Sequence, residues 1–131
     1  MRMATFRWVV LAACAFSCGC GPAAGVSPTL IAVKGKVTYK NQPLTSGVIQ
    51  FEPDDGYGRA AFGKLEADGT YVLTTYKEGD GVIAGHHRVS IVRVDKKLAR
   101  DRGFTKYTSP NTSDLTADVS AEKTDFTFNI P

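Results

Sequence analysis

The most reactive side chains in the sequence are three thiols close to the N-terminus, those of Cys14, Cys18 and Cys20. No cysteine follows Cys20. A disulfide framework would place cysteines throughout the fold, so this distribution argues against one. The Cys18-Gly19-Cys20 spacing, with no further cysteine or histidine beside it, is also unsuited to a metal site. The cluster therefore indicates chemistry performed on the N-terminal segment itself.

That segment has the features of a secretory signal peptide. Residues 1–7 contain two arginines and no acid, residues 8–16 are apolar, and residues 17–21 are small. The apolar run is far shorter than the roughly 20 residues that a membrane-spanning helix needs. Small residues before a cysteine resemble a bacterial lipobox, in which the cysteine is lipidated and becomes the mature N-terminus.

We predict Cys20 as the lipidated residue, because it follows Gly19 and gives the more usual leader length. Cys18 and Cys14 are the alternatives; Cys14 fits the lipobox pattern best but leaves a very short apolar run. Ordinary cleavage and free secretion is the competing interpretation. Two or more acyl chains anchor a protein stably in a membrane. Residues 1–20 are then a signal peptide with a lipobox, residues 21–29 a flexible tether, and residues 30–131 a folded domain.

His86 and His87 are the only histidines. Neighbouring residues on a strand point to opposite faces of the sheet, so the pair cannot easily bind one metal ion in regular geometry. We expect one exposed and one packed histidine. No His-Glu-x-x-His motif accompanies them, and we predict no metal site.

The acidic residues cluster in glycine-rich segments, as Asp54, Asp55, Asp68, Glu78 and Asp80. A calcium loop would need ligands at alternating positions closed by a bidentate glutamate, and that pattern is missing. Turn formation is therefore the predicted role of these acids. There is no Gly-x-Ser-x-Gly motif either, so a catalytic triad has no support. We predict no catalytic residues and no cofactor.

The segment of residues 95–114 is long for a structureless connection in a small domain, and such segments are functional or partly ordered. One interpretation makes it a contact surface for an anionic polymer or a partner protein. The other, which we favour, is that the two aromatic rings cap the end of the domain while the charges are solvated. The candidate contact residues are Lys96, Lys97, Arg100, Arg102, Phe104, Lys106 and Tyr107.

The remainder of the domain consists of short segments with strand character and no helical period of normal length. In residues 125–130, for example, Phe126, Phe128 and Ile130 alternate with polar residues. Asn41-Gln42-Pro43 and Asp68-Gly69 supply turns between such segments. The predicted strands cover residues 30–39, 47–52, 60–65, 71–75, 87–94, 115–119 and 125–130. This pattern predicts an all-β fold, a seven-stranded sandwich of two sheets.

The order of several motifs is similar to that of the carboxypeptidase regulatory-like domain, which has a transthyretin-like (prealbumin-like) β-sandwich. The motifs are Val-x-Gly-x-Val-x-Tyr from Val33, Pro-Leu-x-x-Gly-x-Ile-x-Phe-x-Pro from Pro43, and Ala-Asp-Gly-x-Tyr-x-Leu from Ala67. The resemblance covers about residues 32–130 and implies a seven-stranded Greek-key sandwich without a shared active site. Hydroxyisourate hydrolases share the transthyretin fold, but their closing Tyr-Arg-Gly-Ser motif is absent here.

The overall charge argues against nucleic-acid binding. Arg2 and Arg7 lie in the leader, so 14 of the 16 basic residues remain beside 13 acidic ones. A nucleic-acid-binding domain would have a clear basic excess.

We therefore predict an exported, non-catalytic lipoprotein of a bacterial cell envelope, facing the periplasm or the surface. Its sandwich would act as a binding or scaffolding module, and its partners would be the membrane, through the lipid anchor, and an envelope protein or polysaccharide. The alternatives are a purely structural envelope component, a small transthyretin-fold hydrolase, or a metal-dependent enzyme using His86 or His87.

Overall fold

A computed structural model describes residues 29–131. Of these residues, 46% lie in strands and 8% in helices, which confirms the predicted all-β sandwich. The predicted signal peptide, the lipidation at Cys20 or its alternatives Cys18 and Cys14, and nearly all of the predicted tether lie outside the described residues. In the described part of the chain, no helix is long and apolar enough to cross a membrane.

The strands are short, and most of them match the segments predicted from alternation. The strands are β1 (Leu30–Ile31), β2 (Lys34–Tyr39), β3 (Gln42–Pro43), β4 (Val48–Pro53), β5 (Ala61–Lys64), β6 (Thr70–Val72), β7 (Val82–Ile83), β8 (Gly85–Val92), β9 (Leu115–Val119) and β10 (Asp125–Ile130). A single α-helical turn, α1 (Lys96–Ala99), and a 3-10 turn (Thr105–Thr108) lie between β8 and β9.

Two four-stranded sheets form the sandwich. In the first sheet β2 pairs with β10, β3 and β6, and in the second the order is β5-β4-β8-β9. The pairing of β2 with β10 is parallel, whereas the other pairings in both sheets are antiparallel. A bridge between Phe62 and Thr74 links the β5 side of the second sheet to the chain that follows β6. The sheets are therefore joined along one edge.

Phe51 lies at the centre of the core between the sheets. Its ring centroid is 5.9 Å from that of Phe126, 6.1 Å from Phe128, 6.3 Å from Tyr71 and 6.0 Å from His87. Edge and tilted contacts of this kind add to the large apolar area that aromatic residues bury. The core is therefore organised around one phenylalanine that contacts rings from both sheets.

Gly35 is required by a close approach of two strands. A Cβ atom at this position would lie 1.9 Å from the carbonyl oxygen of Phe126 and 2.6 Å from the hydroxyl of Tyr71. That hydroxyl donates a buried hydrogen bond of 2.7 Å to the same carbonyl. Glycine therefore leaves room for the Tyr71 side chain to reach β10, and burial raises the pKa of the Tyr71 hydroxyl far above its usual value.

The main differences from the predicted strands and turns lie at two places, and the long connection also contains helical turns. The first predicted strand, residues 30–39, is broken, because β1 leaves β2 and pairs with β7. Gln42 and Pro43, expected in a turn, form β3 after a two-residue turn at Lys40 and Asn41, whose φ angles are 49° and 63°. Both angles lie in the left-handed region that Asn tolerates, so Asn41 has the predicted turn role. The segment of residues 95–114 contains α1 and the 3-10 turn.

Candidate functional site

The directions of the strands give the sandwich two distinct ends. Strand β2 runs from Lys34, beside β6, to Tyr39, whose ring packs against Phe104 at 5.2 Å. Strand β8 starts just after β7, the partner of β1, and ends at Val92 beside Val48. The chain therefore enters the domain at one end, and the segment of residues 95–114 covers the other.

Asp95 fixes the start of this segment. Its carboxylate accepts a hydrogen bond of 2.8 Å from the backbone N–H of Leu98 and so caps α1. The hydroxyl of Ser46 donates to the same carboxylate at 3.4 Å. Leu98 packs against the core, and this contact turns the rest of the helix outwards.

Phe104 and Tyr107 anchor the segment to the core. Phe104 is fully buried and Tyr107 is nearly so, and their ring centroids are 6.0 Å apart. The 3-10 turn that carries Tyr107 packs against β8. The two rings are therefore not available on the surface. Their burial agrees with the interpretation in which they cap the end of the sandwich. The contact surface considered from the sequence is reduced to its basic side chains.

Four of the candidate basic residues, Lys96, Lys97, Arg100 and Arg102, are exposed. In the part of the chain that the structure describes, none of the four lies within ion-pair distance of a carboxylate. Lys106 differs, because its ammonium is 2.9 Å from the Asp114 carboxylate and lies over the Tyr107 ring. The hydrogen bond to Asp114 raises the pKa of Lys106.

Arg93 follows β8 directly and lies outside the candidate contact segment of residues 95–114. It is exposed, and its φ of 55° lies in the left-handed region that non-glycine residues rarely adopt. Its position beside the helix adds a fifth cation. We call the exposed group of Arg93, Lys96, Lys97, Arg100 and Arg102 the basic pole.

The acids of the same segment are engaged in structural contacts. Asp95 caps α1, and Asp101 accepts from the Gly103 N–H at 2.9 Å and pairs with Lys40 at 3.2 Å. The neighbouring Tyr39 hydroxyl, the Gly103 N–H and Lys40 together hold the pKa of Asp101 below its usual value. Among the described residues, the charges that are left exposed and unpaired at the basic pole are therefore positive. Such a surface can hold carboxylate, sulfate or phosphate groups.

His86 and His87 point to opposite faces of β8, as predicted. His86 is exposed and its Nδ1 lies 2.5 Å from Asp118, which raises its pKa. His87 is buried, and its Nε2 donates to the Ile83 carbonyl at 2.7 Å. Desolvation lowers the pKa of His87. No group of three His, Asp or Glu side chains within residues 29–131 is placed to hold a metal ion.

Three of the acids in glycine-rich segments have the predicted turn role. Asp55 accepts from the N–H of Tyr57, and Asp68 accepts from the N–H and hydroxyl of Thr70. Asp80 accepts from three consecutive backbone N–H groups, of residues 75, 76 and 77, at 2.7–2.9 Å. Desolvation raises the pKa of Asp80, but these hydrogen bonds outweigh it and leave the pKa below its usual value.

Comparisons with known proteins identify no relative: no protein-family model, no curated protein and no solved structure matches this chain.

Proposed function

We propose that this protein is an exported lipoprotein of a bacterial cell envelope, anchored through Cys20. Its non-catalytic, transthyretin-like sandwich presents the basic pole to an acidic polysaccharide. The fold assignment is supported by the motif order that resembles the carboxypeptidase regulatory-like domain. It is also supported by the chain path, which crosses between sheets after β3, β5, β6 and β9 as a Greek-key sandwich does.

The observation that carries the proposal is the placement of the basic pole. Its five cations stand on a base fixed by Asp95, Phe104 and Tyr107, at the end of the sandwich opposite the point where the chain enters. A tether attached at Leu30 leaves this end facing away from the anchor. A fixed base avoids the cost of ordering the backbone when the cations bind a ligand.

A polyanion fits the basic pole better than a protein partner does. The centres of protein interfaces are rich in exposed aromatic and apolar side chains. In residues 29–131 the large apolar side chains that are exposed all lie elsewhere, and the rings of Phe104 and Tyr107 are buried. A polar, cationic surface of this kind binds through repeated charge contacts, and such binding weakens steeply with salt.

The test uses the full chain and polygalacturonate as the probe, with neutral dextran as the reference polymer. We expect the triple variant Lys96→Gln, Lys97→Gln, Arg100→Gln to bind polygalacturonate several-fold more weakly. The matched control removes three lysines from the outer faces of β2 and β5, as Lys34→Gln, Lys36→Gln, Lys64→Gln. An equal loss in both variants, or retention of the neutral dextran, would contradict the assignment of the site.

The anchor has its own test, which is mass spectrometry of the mature N-terminus. We expect a diacylated or triacylated peptide that begins at Cys20, with Cys18 and Cys14 as the alternative starting points. A free, unmodified N-terminus near Ala23 would refute the lipid anchor.

A further inference from the structure

The large apolar side chains left exposed within residues 29–131 are Tyr57, Phe62, Val72 and Tyr76, which are 82%, 44%, 55% and 50% exposed. All four lie on or beside the β5–β6 edge, where the two sheets are joined. Isolated exposed apolar residues are common on protein surfaces, but a group of them marks an interaction site.

These side chains are connected through contacts between the strands and loops to which they belong. Phe62 is bridged to Thr74, and Val72 lies two residues before Thr74, on the same face of the ribbon. Arg59 lies over the Tyr76 ring at 5.5 Å, which joins the loop after β4 to the turn after β6. Tyr57 belongs to the same loop, and its N–H is fixed by Asp55. We call Tyr57, Phe62, Val72 and Tyr76, together with Arg59, the aromatic strip.

The aromatic strip adjoins the place where the chain enters the domain. Strand β1 pairs with β7, and Gly81 lies so close to Ile31 that a Cβ atom on it would be 2.0 Å from the Ile31 carbonyl oxygen. On the other side, a Cβ on Gly58 would be 2.7 Å from Cδ1 of Ile83. The two segments that carry Tyr57 and Tyr76 therefore both pack against the β1–β7 pair. We call this end of the sandwich the tether pole.

The geometry points to a membrane-facing role for the aromatic strip: we propose that it rests on the bilayer interface and so orients the anchored domain. This inference rests on the proposed lipid anchor. Cys20 lies ten residues before Leu30, and ten extended residues span at most about 36 Å. Tyrosine suits this environment because its apolar ring and polar hydroxyl favour the headgroup region.

The charges at the tether pole are compatible with a zwitterionic bilayer. The acids Asp55 and Asp80 are held by backbone N–H groups, and Asp54 lies 3.0 Å from Nε of Arg88. Arg59 and Lys77 are exposed beside the rings, and long basic side chains of this kind can extend towards phosphate groups. Glu78 is a further exposed acid beside them, and Asp125, which pairs with Lys34 at the start of β2, is exposed at the same end. The basic pole, at the opposite end, then projects away from the bilayer.

The test is covalent labelling of tyrosines and lysines, read by mass spectrometry, on the full acylated chain in phosphatidylcholine vesicles. The reference is the full chain with Cys14→Ser, Cys18→Ser and Cys20→Ser, free in buffer. We expect Tyr57, Tyr76 and Lys77 to react at least roughly threefold more slowly on the vesicles. Lys96 and Lys97 should react equally in both samples. A Tyr57→Ser, Phe62→Ser, Tyr76→Ser variant should remove the protection of Lys77.

Equal reactivity of Tyr57 and Tyr76 on a chain that is acylated and vesicle-bound would overturn the inference and leave the lipid anchor intact. Slower labelling without lipid that depends on protein concentration would also overturn it, because a second copy would then cover the strip. If the N-terminus carries no acyl chain, the proposed anchor fails. In that case the test is repeated with the unacylated chain mixed with vesicles. If the vesicles do not slow the labelling of Tyr57 and Tyr76, the inference is overturned.

Discussion

The two ends of the sandwich use similar residues in opposite ways. At the basic pole the aromatic rings of Phe104 and Tyr107 are buried and the cations are exposed. At the tether pole the rings of Tyr57 and Tyr76 are exposed, while Asp80 is occupied by backbone N–H groups. The difference arises from the cover that each end receives, because a folded connection lies over one end and only short turns over the other. The side chains that each end leaves exposed therefore depend on which segments cover that end.

Phe104→Ala should have the largest effect, because it removes the ring that anchors the basic pole to the core. We expect a loss of about 3–5 kcal/mol in the free energy of unfolding, the usual range for a buried phenylalanine. The measurement is urea denaturation. Phe62→Ala, in the aromatic strip, is the matched control and should change stability by less than about 0.5 kcal/mol. Similar losses in both variants would remove the contrast between the two ends.

Gly81→Ala tests the packing of the tether pole. Gly81 has a φ of 98°, and an added methyl group would meet the Ile31 backbone. We expect a loss of about 1–3 kcal/mol from strain and overpacking. Gly79 has a φ of 73° but nothing within 4 Å of its added Cβ, so Gly79→Ala should show only the backbone strain, about 1 kcal/mol. Equal losses would mean that the close approach to β1 contributes nothing.

Asp95→Ala tests whether the base of the basic pole is held by its helix cap. Loss of the cap should lower stability by about 1 kcal/mol. It should also speed amide hydrogen exchange in α1, while exchange in the turn after β6 stays unchanged. Asp95→Ser keeps a capping oxygen and should restore most of the protection. If exchange in α1 does not change, the cap does not hold the base in place.

The smallest effect should come from the two neighbouring histidines, whose pKa values are shifted in opposite directions. His87 has a lowered pKa in the folded state, so its stabilising contribution is present above the pKa of the unfolded chain and is lost as the pH falls through the folded value. His86 has a raised pKa, so its contribution is present below the unfolded pKa and is lost as the pH rises through the folded value. NMR titration of both rings gives the check. Asp118→Asn should lower the pKa of His86 and leave that of His87 nearly unchanged.

The local sequence was enough to predict the strands and turns whose conformation is determined by neighbouring residues. Alternation of Phe126, Phe128 and Ile130 predicted β10, and Asp68-Gly69 predicted the turn before β6. The turn between β2 and β3 contains Asn41, and its positive φ is a conformation that asparagine tolerates. These features are determined within a few residues, so the pattern of the chain is enough to predict them.

The remainder depends on pairings between distant segments. Nothing in residues 30–31 indicates that they leave β2 to pair with Val82 and Ile83. Helix α1 has four residues, too few for a helical period to be visible. Phe62 and Phe104 both lie among polar and apolar neighbours in the sequence. One is exposed and the other buried because different segments of the fold cover them. The aromatic strip was therefore not predictable from the sequence.

The parallel pairing of β2 with β10 has a consequence for how the chain folds. The first long strand finds its partner in residues 125–130, and Thr38 bonds to Asn129 across 91 residues. Contacts of such high sequence separation make folding slow. Strand β2 therefore keeps an unpaired edge until β10 has been made, and the first sheet is completed by one of the most distant pairings in the fold.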